Sequence, residues 1–233
     1  MGLIDLGKKL KASTRPLDII YVIDTSWSMG GKKIEAVNKA MHELESLLCE
    51  EARKNPCADV NVRILAFNKE KAYWHLKERT NVESFKYEDI VDVEGGTPFG
   101  SALDALAQAL SEDSSVRGLP PIIVVMSDGW PTDAWEVSLE RLLLTPWGKK
   151  ATKIAIAIGK EPDREILAHF TGDKELVLSA NDTGSLVEYI KWSSTLVSQV
   201  SQLFVNTENG KAFAKINVPE PLSMIMDDSV EII

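Results

Sequence analysis

The chain has 233 residues, 44% of them hydrophobic and 26% charged, which suits one large α/β domain with its own core. A net charge of −9 argues against non-specific nucleic-acid binding through phosphates; its default reading is a solvated acidic surface, and the same sign would favour cation capture or a basic partner. Two cysteines, Cys49 and Cys57, exclude a disulfide framework and read as free thiols of a reducing compartment. The start, MGLIDLGKKLKAS, lacks the apolar stretch of a signal peptide and has Leu6 where a myristoylation motif needs Ser or Thr. No run approaches the ~18 apolar residues of a membrane span, so a cytoplasmic location is expected.

In chain order, Ile19–Asp24 is an unbroken apolar run, as a strand buried on both faces should be. Lys32 to Arg53 predicts a helix, with Ile34, Val37, Met41, Leu44 and Leu48 on one face. Val60–Phe67 is a second strand, and Ala72–Leu76 a short third one in a hairpin with it. Residues 77–94 are charged and irregular. They lead to Gly95–Gly96–Thr97 and a helix carrying Ala102, Leu103, Leu106, Ala109 and Leu110 on one side. Ile122–Met126 is another apolar strand, and Asp133 with Glu136 suits the cap of the helix that follows it. Lys153–Gly159 reads as a strand, Asp163–Phe170 as a helix and Leu176–Ser179 as the last strand. Ser185 and Glu188 then open a long helix ending near Phe204.

The alternation predicts an α/β fold: a doubly wound, mainly parallel sheet with helices on both faces and one short antiparallel edge strand. The expected organisation is an N-terminal extension (1–15), one domain (16–205) and a C-terminal extension (206–233). NTENG and PEP interrupt helical character in the last segment, which admits three placements: an added strand, a cover over one face, or a loose tail.

The chemistry gathers at strand ends. In IIYVIDTSWSMGG, Asp24, Ser26 and Ser28 place three oxygen-bearing side chains at alternate positions where a buried strand leaves the core. GGTPFG adds Thr97, and VVMSDG adds Asp128 at the end of a second apolar strand. Hard oxygen donors in a compact site suit Mg²⁺, Mn²⁺ or Ca²⁺ rather than zinc. Each residue alone has a simpler reading: the serines as helix caps and Asp128 as a turn former. Asp133 reads as a cap rather than a ligand. Trp27 and Trp130 flank the cluster, either as anchors for a partner or as rings packed over the loops.

This constellation resembles the von Willebrand factor A (VWA) family and its metal-ion-dependent adhesion site (MIDAS). The family pattern is D-x-S-x-S after the first strand, a Thr in a later Gly-containing loop and an Asp after the fourth strand. Asp24, Ser26, Ser28, Thr97 and Asp128 match at all five positions, over a resemblance spanning roughly residues 16–205. The spellings TRPLDIIYVIDTSWSM, GGTPFGSAL and SDGWPTD look most like the bacterial tellurite-resistance-associated, TerY-like branch. The resemblance implies a metal held directly by the hydroxyls, with one or both aspartates acting through water and the open position taken by a carboxylate of a protein partner. It also implies a bacterial stress-response or defence setting. The partner there would be a Ser/Thr kinase-like protein or a metal-dependent protein phosphatase.

Two rival classes remain open at this level: a Mg²⁺-dependent phosphohydrolase using the same cluster, and a co-chaperone subunit of an AAA-type ATPase. The enzyme reading lacks a constellation. The chain has no phosphate-binding G-x-x-x-x-G-K-S/T, no G-x-S-x-G, and His42, His75 and His169 are isolated in sequence. No catalytic residue is assigned.

Overall fold

The computed structural model describes residues 14–55, 58–69, 71–112, 118–159, 162–205 and 216–219. One six-stranded sheet runs through it. Its centre is β1 (Arg15–Asp24), flanked in parallel by β2 (Ala58–Asn68) and β4 (Ile122–Ser127). β5 (Thr152–Ile158) and β6 (Val177–Ala180) continue the parallel ladder, and β3 (Lys71–Asn81) lies antiparallel on the β2 edge. The strand order is β3-β2-β1-β4-β5-β6.

Period-two alternation splits β1 between two core layers. Leu17, Ile19, Tyr21 and Ile23 face α1 (Lys32–Lys54), α6 (Thr183–Trp192) and α7 (Leu196–Val205). Ile20 and Val22 face α2 (Phe99–Glu112), α3 (Trp135–Leu144) and α5 (Arg164–Thr171). A short α4 (Pro146–Lys150) follows α3. The predicted stripe of α1 is the buried one: Val37, Met41, Leu44 and Leu48 are fully enclosed, each contributing roughly 1.5–3 kcal/mol of burial.

Three local expectations are corrected. The edge strand β3 does not stop at Leu76 but continues through the charged stretch to Asn81, because one side of an edge strand faces water and tolerates charge. The expected single helix from Ser185 to Phe204 is two helices, separated by a 3₁₀ turn at Ser193–Thr195. There the Ser193 and Ser194 hydroxyls bond back to the carbonyls of Ile190 and Lys191, offering the backbone an alternative to the helical ladder. The cap of α6 is Asp182 rather than Ser185: Asp182 accepts from the Ser185 N–H at 2.8 Å, and Ser185 is its capping-box partner.

The irregular stretch after β3 is strapped to α1. Asn38 Oδ1 accepts from the Tyr87 hydroxyl (2.7 Å) and the Ile90 N–H (3.1 Å), while its amide donates to the Ile90 carbonyl (3.0 Å). Phe85, Tyr87 and Ile90 are buried against the α1-side core. This strap delivers Gly95–Gly96–Thr97 to the carboxyl ends of the strands.

Of the tail, residues 216–219 cover a face. Asn217 donates its N–H to Gln199 Oε1 on α7 at 2.8 Å, and Ile216 and Val218 pack against the core. Cys49 is a free thiol, bonded to the Val82 carbonyl; Cys57 and the acidic DDSVEII lie outside the described residues. Among the described residues no helix is long and apolar enough to cross a membrane.

Candidate metal centre

β1 and β4 are neighbours, and their crossovers leave in opposite directions, so a crevice opens beyond their carboxyl ends. Asp24 ends β1 and Asp128 directly follows β4, which brings the two carboxylates to that crevice. Asp24 is fully buried. Its Oδ1 accepts from the Ser26 N–H at 2.9 Å and its Oδ2 from the Ser127 hydroxyl at 2.5 Å. The Ser26 and Ser28 hydroxyls lie 3.2 Å apart, and Ser28 donates to Asp128 Oδ1 at 2.7 Å.

The simpler readings of the serines and of Asp128 do not describe this geometry. Ser26 precedes a 3₁₀ turn (Trp27–Met29) without a side-chain capping bond, and the residue before α1 is Gly31. The S-D-G turn is held by Ser127, whose hydroxyl accepts from the Gly129 N–H at 3.3 Å, rather than by Asp128.

Thr97 arrives from the strap. Its carbonyl accepts from the N–H groups of Thr132 (2.9 Å) and Phe99 (2.8 Å), which locks its loop to the one after β4. Its hydroxyl has no hydrogen-bond partner among the described residues. Gly129 lies against it: a Cβ there would sit 3.0 Å from Thr97 Oγ1 and 3.7 Å from Ser28 Oγ. Only glycine leaves that space open.

Burial, above all, raises the Asp24 carboxyl to about 6. Bonds from Ser127 and Ser26 oppose the shift and the nearby Asp128 charge adds to it. A cation beside Asp24 would relieve this strain. Among the described residues no group of three or more His, Cys, Asp or Glu side chains is arranged to hold a metal. The donors here are two carboxylates and three hydroxyls, a set that fits a hard divalent ion better than a thiophilic one.

Two residues of the site went unread in the sequence. Ser127 orients Asp24, and Lys33 donates to Asp128 Oδ2 at 2.5 Å. The signal for Lys33 was its place in the first turn of α1, where the helix dipole disfavours a cation. Trp27 and Trp130 are 75% and 68% exposed, so neither ring packs down over the loops. The histidines lie elsewhere: His42 bonds to Asp89, His75 to the Glu88 carbonyl, and His169 lies beside the Trp135 ring.

Asp133 is a cap, but of α2 rather than of the helix that follows it. Its two carboxylate oxygens accept from the N–H groups of Gly100 (2.8 Å) and Ser101 (2.9 Å), while α3 starts without a side-chain cap. Asp133→Ala is therefore expected to lower stability by about 1–2 kcal/mol, read from urea unfolding midpoints.

The profile of the von Willebrand factor type A domain matches residues 18–192, and the chain belongs to that family. No curated protein matches it. Among solved structures, the pilus adhesin SpaC from Lactobacillus rhamnosus GG superposes with a TM-score of 0.65 at 14% identity, covering 79% of this chain and 31% of that one. The von Willebrand domain of the type V pili tip protein Mfa5 from Porphyromonas gingivalis gives 0.60 at 9% identity, covering 81% and 97%. Proximal thread matrix protein 1 from the mussel byssus, with a zinc-occupied MIDAS motif, gives 0.52 at 15% identity, covering 80% and 46%. The chain thus spans about a third of the SpaC chain. At these identities the likeness is one of fold.

Proposed function

We propose that this protein is a metal-dependent protein–protein interaction module. Asp24, Ser26, Ser28, Thr97 and Asp128 hold a Mg²⁺ ion, or Mn²⁺ or Ca²⁺ in its place, and an acidic side chain of the partner completes the coordination. The observation that carries this reading is the convergence of the Thr97 and Ser28 hydroxyls on one gap beside Gly129, from loops distant in sequence. Hydroxyl donors leave the ion electron-poor, which suits capture of an external carboxylate. The mussel protein's motif, occupied there by zinc, lends support by analogy of fold to a divalent metal at this place but not to Mg²⁺ in particular. Family membership favours an interaction module over a phosphohydrolase.

The TerY-like spellings suggest the setting: a cytoplasmic adaptor in a bacterial stress-response or defence system, with a kinase-like protein or metal-dependent phosphatase as partner. In this reading the recognition domain is residues 16–205 with extensions on either side.

The test is a pull-down from native extract with Mg²⁺, with EDTA, and with Thr97→Ala. The Thr97 hydroxyl bonds to no described residue, so Thr97→Ala is expected to cost only about 1 kcal/mol of stability, for the buried methyl it also removes, while abolishing capture. Identical captures in all three lanes would overturn the reading. Trp27→Ala is expected to weaken the partner by about tenfold in a binding titration, as loss of an exposed aromatic anchor does, with Mg²⁺ affinity unchanged.

A further inference from the structure

Lys33 has no assigned role, yet its placement is specific. It lies in the first turn of α1, and its ammonium reaches Asp128 Oδ2 at 2.5 Å, opposite the oxygen that accepts from Ser28. The Lys33 side chain is 14% exposed and that of Asp128 only 2%. A Cβ on Gly159, at the end of β5, would lie 3.7 Å from the ammonium, so the charge is enclosed at the ends of β4 and β5. A cation in the first turn of a helix is disfavoured by the helix dipole, so local helix stability does not account for it.

We propose that Lys33 sets the charge of the metal site, weakening capture of the divalent ion and strengthening the loaded site's hold on an incoming carboxylate. The proposal rests on the metal reading above. Two carboxylates and one ammonium give the site a charge of −1, and a divalent ion brings it to +1. An arriving carboxylate then returns it to zero. With residue 33 neutral, the same steps run from −2 to zero to −1. The ion would bind more tightly and the carboxylate less tightly, because charges meet at close range in a partly buried crevice. Lys33 also pairs with Asp128, so that carboxylate has a cationic partner where its side chain is buried.

The test measures two affinities that must move in opposite directions. Mn²⁺ binding is followed by calorimetry, and acetate binding to the Mn²⁺-loaded protein by water-proton relaxation. Lys33→Met is expected to tighten Mn²⁺ about tenfold and weaken acetate about tenfold, while Lys33→Arg keeps both near wild type. Lys33→Gln, which stays neutral but retains a donor for Asp128, gives the same pair of shifts if Lys33→Met unfolds. Affinities that fall together would show Lys33 to be scaffolding and overturn the proposal. Unchanged affinities in variants that bind Mn²⁺ would overturn it and leave the metal reading standing. No Mn²⁺ binding by wild type or any variant would overturn both.

Discussion

Asp24→Asn is expected to stabilise the metal-free protein while weakening the proposed metal binding about a hundredfold. Asp24 is fully buried, and its carboxyl is raised from 3.8 to about 6, chiefly by desolvation. The folded state therefore holds the Asp24 proton more tightly than the unfolded chain does. Stability from this group is greatest below about pH 4, falls as pH rises from about 4 to about 6, and is level above that, a loss of about 3 kcal/mol in all. Asparagine keeps the acceptor for the Ser26 N–H, and its amide can donate to Ser127, so the bonds survive while the charge goes. The expected gain in the presence of EDTA is about 1–3 kcal/mol at pH 7.5, shrinking towards zero at pH 4. Subtracting variant from wild-type unfolding energies at each pH isolates Asp24 from Glu45 and Glu51, whose carboxyls are lowered. A variant less stable than wild type at pH 7.5 would refute the assignment. In the proposed function, the buried charge that would attract a cation is also what costs stability without one, so function and stability pull apart.

Gly95→Ala is expected to be the most damaging single methyl in the site. Gly95 has φ +71°, where an alanine costs about 1–2 kcal/mol. Its Cβ would also lie 2.5 Å from Lys69 Cα and 2.8 Å from Lys69 N, backbone atoms that cannot swing away. Those contacts exist because the loop is stitched between two strand ends: Lys69 N–H bonds to Glu94 O, Glu94 N–H to Thr25 O, and Trp27 N–H to Gly95 O. The expected loss is about 3–5 kcal/mol, together with loss of the metal binding proposed above as Thr97 is displaced. Gly172→Ala, at the left-handed C-cap of α5, is the control: it has φ +76° but nothing within 4 Å of its Cβ, so only the conformational cost applies. Equal unfolding midpoints for the two variants would mean that the Lys69 contact is not what holds the loop.

Much of this was legible from local pattern. The apolar runs of β1 and β4 announce strands buried on both faces, because a strand with helices above and below has no side on which a polar residue is solvated. The stripe of α1 is legible because one face of that helix packs on the core and the other meets water, and Asp24 and Asp128 stand at strand exits where the chain leaves the core. The misread elements are those decided by competition. Charged residues 77–81 look like loop, but an edge strand accommodates them. The run after Asp182 looks like one helix, but serine hydroxyls interrupt it.

By itself the sequence determined the fold class and most of the sheet-forming segments, and it singled out five candidate oxygen donors, since periodicity and residue chemistry are properties of neighbours along the chain. Only the tertiary structure decided that Lys33 pairs with Asp128, that Asp133 caps α2 rather than the helix it precedes, and that Gly95 is pressed against Lys69. Each of these joins segments far apart in sequence, and which distant segments meet depends on strand order and loop packing, which leave no periodic trace in the chain.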